Sequence, residues 1–132
     1  MSLSDPIADM LTRIRNAGRA GHPACKVSGS RLKKSILEIL KHEGFIVDFQ
    51  PVQERKFTDF EVQIKYVSNR VPVIQEIQRV SRPGRRVYWK AEDVKPIRSN
   101  LGIAILSTSK GIMTNKKAKK LKVGGEVLCR VS

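Results

Sequence analysis

The chain has 132 residues, 40% of them hydrophobic, and its 26 Lys and Arg against 12 Asp and Glu give a formal charge of +14. That length suits one compact domain or two small lobes, and the periodic spacing of the apolar residues excludes a disordered basic tail. So much unbalanced positive charge repels itself in a folded chain unless a polyanion offsets it, and no apolar run approaches the ~18 residues of a membrane span.

The charge is also skewed. Residues 1–80 hold 13 basic and 9 acidic groups, whereas residues 81–132 hold 13 and 3. A nucleic acid is the first partner to expect and an anionic membrane surface the second. The opening residues carry Asp5 and Asp9 rather than a basic patch before a long apolar run, so nothing there reads as a secretory signal. Cys25 and Cys129 are too few and too far apart for a disulfide scaffold, which fits a reduced cytosolic setting.

In chain order, Asp5 can cap a first helix and Pro6 fits its first turn, while Ile7, Met10, Leu11 and Ile14 recur at helical spacing. Thr12, Asn16 and Arg19 fall on the other side with Arg13 and Arg15 on the flanks, and Gly18 and Gly21 are expected to end the helix. Ala24 to Ser28 alternates as a short strand. A second helix is predicted from Arg31 to Glu43, capped by Ser30, buried through Leu32, Ile36, Leu37, Ile39 and Leu40, and stopped by Gly44. Phe45–Val52 and Phe60–Tyr66 read as strands joined by a polar connection, Gln53–Asp59. The N-terminal lobe, residues 1–68, is therefore α-β-α-β-β, with both helices on one face of a small sheet.

Asn69, Arg70 and Pro72 suggest a linker, after which strand-like pieces dominate. Val73–Val80 and Arg85–Trp89 flank the turn pair Pro83-Gly84, and Val94–Asn100 is an irregular or helical crossing. Ile103–Leu106 is a buried strand delivering the polar loop Ser107-Thr108-Ser109-Lys110-Gly111. Thr114 caps a short helix through Leu121, and Val127, Cys129 and Val131 alternate as a last strand. The second lobe, residues 69–132, is mostly β with one short helix, so the fold class is α+β in two closely packed lobes.

No set of residues supports catalysis. Gly102 and Gly111 lack the glycine spacing of a phosphate-binding loop. His22 and Cys25 have no second pair to complete a metal site. Ser107 and Ser109 lack a base with an orienting partner. No enzyme activity, metal or cofactor is therefore expected. Serine and threonine hydroxyls instead donate and accept, so a loop carrying three of them and Lys110 suits phosphates, ribose hydroxyls or base edges. The same hydroxyls could satisfy their own backbone, and that reading stays open. Arg82, Arg85 and Arg86 surround the Pro83-Gly84 turn, and alternation lets only one of Tyr88 and Trp89 face outward, for which Tyr88 is the choice. Lys116, Lys117, Lys119, Lys120 and Lys122 make a strong local field on the short helix, and both a specific contact and a merely solvated lysine face stay open there. Glu126 could accept from a base or hold a neighbouring arginine or the hydroxyl loop in place.

Two segments carry a family resemblance. Asp5-Pro-Ile-Ala-Asp-Met-Leu-Thr-Arg-Ile-Arg-Asn16 resembles the opening of the bacterial small ribosomal subunit protein eight family. Gly102-Ile-Ala-Ile-Leu-Ser-Thr-Ser-Lys-Gly-Ile-Met-Thr114, followed by Ala118 and Gly124-Gly-Glu-Val-Leu-Cys129, is similar to that family's C-terminal motif. The resemblance spans essentially the whole chain. It implies two packed α/β lobes that bind the central domain of small-subunit ribosomal RNA and support subunit assembly, beside a neighbouring ribosomal protein. It also implies a cytoplasmic place in the small subunit and repression of the protein's own operon messenger.

By the family motif, Ser107, Thr108 and Ser109 contact a distorted RNA core with Lys110, Tyr88 and Glu126 close by. The resemblance also implies that Thr12 and Arg15 hold a second part of the RNA, while the charge of Arg85, Arg86, Lys116 and Lys117, read from the residues themselves, adds basic contacts as further RNA-binding candidates. Asn115-Lys116-Lys117 departs from the family's acidic start after the threonine, raising local positive charge, and Cys129–Ser132 lacks the usual aromatics. The competing functions are a mainly regulatory messenger-binding protein and a basic protein of the membrane surface, the latter without a hydrophobic anchor.

Overall fold

Helix α1 (Pro6–Ala20) starts as its cap chemistry dictates, with the Asp5 carboxylate accepting from the Ala8 N–H at 3.2 Å. The computed structural model describes residues 5–54, 57–94 and 102–132. They fall into two units: Asp9–Gln75, and Glu76–Ser132 together with the chain's opening up to Ala8. The N-terminal unit thus extends to Gln75, whereas composition suggests a boundary near residue 68.

In the N-terminal unit, α1 is followed by β1 (Ala24–Ser28), α2 (Arg31–His42), β2 (Ile46–Glu54) and β3 (Phe57–Ile64), giving an antiparallel sheet of order β1-β3-β2. Val27, Phe60, Val62 and Ile64 alternate into the core beside Met10, Leu11 and Ile14 of α1 and Ile36, Leu37 and Leu40 of α2. Ser30 caps α2 by accepting from the Lys33 N–H at 3.2 Å. Gly21 and Gly44, both with positive φ, follow the two helices. Gly18 does not end α1. It lies inside the helix, where a Cβ would come within 3.3 Å of Pro72.

Two further expectations are corrected by the pairing of residues 66–72. The segment read as a linker pairs as a hairpin, β4 (Tyr66–Ser68) with β5 (Val71–Pro72), and Arg70 takes the left-handed turn position at φ 63°. Tyr66 therefore leaves β3, and its hydroxyl donates to the carbonyls of His22 and Ala17, a long-range tie that periodicity cannot reveal. Lys33 counts as polar by pattern yet is buried at 5% exposure, its ammonium donating to Ser28 Oγ at 2.7 Å. Burial pushes the Lys33 pKa down, opposed by Asp9 and Asp59 and reinforced by Arg13. The tip of the Gln53–Asp59 connection lies outside the described residues.

The C-terminal unit contains β6 (Ile77–Arg79), β7 (Tyr88–Trp89), a 3-10 turn (Ala91–Asp93), β8 (Ile103–Thr108), β9 (Gly111–Thr114), α3 (Asn115–Leu121) and β10 (Gly125–Val131). Strand order is β6-β10-β8-β9, with β7 also paired to β10. The expected long strands around Pro83-Gly84 shrink to β6 and β7, because the chain between them bends into a tight turn closed by two Arg82–Arg85 backbone hydrogen bonds. The crossing expected at Val94–Asn100 lies outside the described residues beyond Val94. Val94, Ala104, Leu106, Met113, Ala118 and Val127 form one buried cluster, with Trp89 packed against it. Among the described residues, no helix is long and apolar enough to cross a membrane.

Candidate nucleic-acid interface

Strand β8 does not stop at Leu106. It runs through Ser107 and Thr108 and turns at Ser109-Lys110 into β9, a strand that the sequence reading missed because Gly111–Thr114 is too short to show a period. The polar loop is thus the tip of a β-hairpin, and its hydroxyls divide into two kinds. Thr108 Oγ1 donates to the Gly111 carbonyl at 2.8 Å and accepts from the Lys110 N–H at 3.1 Å, so this hydroxyl is spent on the turn itself. Among the described residues, Ser107 Oγ and Ser109 Oγ make no hydrogen bond. The turn is stapled by one hydroxyl and offers the other two.

Register fixes what stands beside Ser107. Cross-strand partners share a face, and here Glu126 pairs with Ser107 on one side and Tyr88 on the other. Tyr88, Glu126 and Ser107 therefore form one row across β7, β10 and β8. The adjacent row, Trp89, Gly125 and Thr108, points to the opposite face, where Trp89 meets the core. Tyr88 is 68% exposed, as its alternation with Trp89 predicts.

Gly124-Gly125 makes this close weave possible. A Cβ on Gly125 would lie 2.2 Å from the Ser107 carbonyl oxygen, and one on Gly124 2.2 Å from that of Trp89. Both positions exclude any side chain for steric reasons rather than for backbone freedom.

Glu126 is held, not loose. Ser81 Oγ donates to its Oε2 at 2.5 Å, Arg86 Nη1 donates to the same oxygen at 3.1 Å, and Ser81 Oγ also accepts from the Val87 N–H at 3.1 Å. Ser81 is fully buried, so this one hydroxyl ties the Arg82–Arg86 turn to the row. Burial pushes the Glu126 carboxyl up, but the Ser81 and Arg86 hydrogen bonds and the charges of Arg86 and Arg79 outweigh it and hold it below its ordinary value. Arg79 is committed elsewhere. It is paired with Asp5 at 3.0 Å and donates to the Leu128 carbonyl at 2.6 Å. Sequence reasoning missed Ser81, because a serine earns this role only through a partner 45 residues away.

The chain matches the family model described as ribosomal protein S8 over residues 5–132. The chain belongs to the ribosomal protein S8 family. It is 60% identical to the small ribosomal subunit protein uS8 of Leptospira biflexa serovar Patoc over 131 residues, covering 99% of both chains. Identity is 51% to uS8 of Desulfitobacterium hafniense and 49% to that of Geotalea uraniireducens, again with 99% of each chain covered.

Within this S8-family chain the remaining candidates separate. Arg86 touches the row through Glu126, and Arg85 is exposed in the adjoining turn. Thr12 is exposed and Arg15 half-buried on α1, in the N-terminal unit. Asn115, which departs from the family's acidic residue, is buried, and its side-chain oxygen accepts from the Ala104 N–H at 3.1 Å. Its role is to join α3 to β8, which a neutral amide can fill. Thr114 caps α3 by accepting from the Lys117 N–H, as expected.

Cys25 and Cys129 are both free, and burial pushes the Cys129 thiol up to about 12 despite the nearby Arg79 charge, so it is unsuited to thiolate chemistry. Among the described residues no group of three or more His, Cys, Asp or Glu side chains converges to hold a metal.

Proposed function

We propose that this chain is a non-enzymatic, RNA-binding constituent of the small ribosomal subunit that supports assembly by gripping the central domain of small-subunit ribosomal RNA. The observation that carries this reading is the Tyr88–Glu126–Ser107 row ending at the stapled Ser109-Lys110 turn. It offers an exposed aromatic ring, a fixed carboxylate and two hydroxyls that make no hydrogen bond among the described residues, Ser107 on β8 and Ser109 in the turn. Such a surface reads shape: hydroxyls meet ribose and base edges in a shallow groove, and a ring stacks on an unpaired base. Arg85, Arg86 and Lys110 supply phosphate contacts that position without reading sequence. A messenger folded into the same shape would meet the same groups, so repression of the chain's own operon belongs to this proposal.

The test compares two kinds of substitution on a central-domain ribosomal RNA fragment and on a random RNA duplex. Ser109→Ala weakens the first about tenfold and leaves the second nearly unchanged. Arg85→Ala weakens both by similar factors and lowers the salt slope by about one. Equal losses on both RNAs from both substitutions would refute shape reading by the hydroxyl turn.

A further inference from the structure

We propose that the lysine face of α3 binds a second phosphodiester backbone while the Tyr88–Glu126–Ser107 row is occupied, so that the C-terminal unit clamps two RNA segments. Ala118 of α3 belongs to the buried cluster with Leu106 and Val127, which pair with each other across β8 and β10. Glu126 and Ser107, one residue along each strand, point to the opposite face. The helix and the row are therefore on opposite sides of one sheet. At about 100° per residue, Lys120 lies on the far side of α3 from Ala118, and Lys119 and Lys117 flank it. All three are exposed, as is Lys122, and none forms an ion pair among the described residues.

No acidic residue lies between Asn115 and Gly125. Glu92 and Asp93 stand on the 3-10 turn that packs against α3, yet neither pairs with Lys117, Lys119, Lys120 or Lys122 among the described residues. A face that stays net positive in this way recognises charge density rather than sequence, which is the chemistry of a phosphate backbone. Leu121 is the one exposed large apolar side chain on the helix, at 40%, too little for the apolar face that membrane insertion requires. Geometry makes the second segment distinct from the first. A duplex seated on the row meets the sheet from one side, whereas Lys119 and Lys120 project from the helix covering the other.

The inference rests on the row being the primary RNA site, and the experiment separates failure of either. The full-length protein is captured on an immobilised central-domain ribosomal RNA fragment, and retention of a labelled random 20-base-pair RNA duplex is measured against salt. The wild type retains the duplex. The K119E/K120E double variant retains at least tenfold less at 0.1 M salt, while its affinity for the central-domain fragment stays within threefold. The salt slope for duplex retention falls by about two, one per lysine. Unchanged retention, or a parallel loss of central-domain affinity, overturns the two-sided clamp. Preferential retention of anionic lipid vesicles over the duplex also overturns it, in favour of a membrane surface. A central-domain fragment bound no better than the random duplex refutes the row as primary site and, with it, this inference. The exposed charge reversal leaves the core intact, and K119Q/K120Q, expected to show the same loss at smaller size, guards against a variant that misfolds.

Discussion

Replacing Ser81 with alanine tests whether the row depends on one buried hydroxyl. The substitution removes a 2.5 Å hydrogen bond to the Glu126 carboxylate and leaves the Val87 N–H without its acceptor. A hydrogen bond to a charged group contributes about 1.5–3 kcal/mol and an ordinary one about 1 kcal/mol, so the loss should be about 3 kcal/mol. With a urea slope of roughly 2 kcal/mol per molar, the unfolding midpoint falls by about 1.5 M. Trp89, the only tryptophan, packs in the core of the same unit and reports that transition by fluorescence.

A pH signature accompanies the stability loss. The folded-state pKa of Glu126 is depressed, so its contribution is present above the unfolded value near 4.5 and disappears as pH falls through the folded value. Without the Ser81 bond the depression shrinks, and the acid-side loss sets in at higher pH. Carbon-detected NMR of the Glu126 side chain follows the titration directly. A midpoint shift below about 0.3 M together with an unmoved Glu126 titration would refute the account of Ser81 as the tie.

Thr108→Val should cost about 1–2 kcal/mol by removing both bonds of the turn staple, and it should weaken central-domain RNA less than Ser109→Ala does, as read by urea unfolding and RNA titration. An intact fold with RNA binding abolished would instead make Thr108 a direct reader. Gly125→Ala forces a Cβ to 2.2 Å from the Ser107 carbonyl, so β8 and β10 must separate and stability falls by more than about 3 kcal/mol, measured by the same Trp89 fluorescence. Lys33→Met keeps the volume and removes a buried ammonium, so stability at pH 7 should be unchanged or raised by about 1 kcal/mol. The depressed folded pKa of Lys33 makes wild-type stability rise with pH from that value towards 10.5, where the unfolded chain holds the extra proton, and the difference between wild type and variant should show that slope.

Much of this was legible from residue order alone. Asp5, Ser30 and Thr114 signal helix starts because capping is local, and the alternation of Tyr88 and Trp89 assigns outside and inside because strand geometry has a period of two. The family resemblance likewise rested on contiguous motifs. What could not be read was non-local. Ser81 earns its role through Glu126, Tyr66 through His22, and Gly125 through the carbonyl of Ser107; none of these partners is marked by spacing. That Thr108 alone of the three neighbouring hydroxyls bonds the turn is unmarked in the sequence for a related reason. Chemically similar hydroxyls differ only in whether the backbone nearby turns to meet them.

Strand β10 follows every one of its pairing partners in the chain, yet it lies between β6 and β7 on one side and β8 on the other. A chain made from its N-terminus at roughly 5–20 residues per second has β6, β7 and β8 in hand before the strand that aligns them exists. Glu126 cannot meet Ser81, nor stand between Tyr88 and Ser107, until that last strand has left the synthesising ribosome. The row is thereby timed as well as shaped: it closes only with the last strand, in the same stretch of chain, residues 81–132, that holds 13 basic groups against 3 acidic ones.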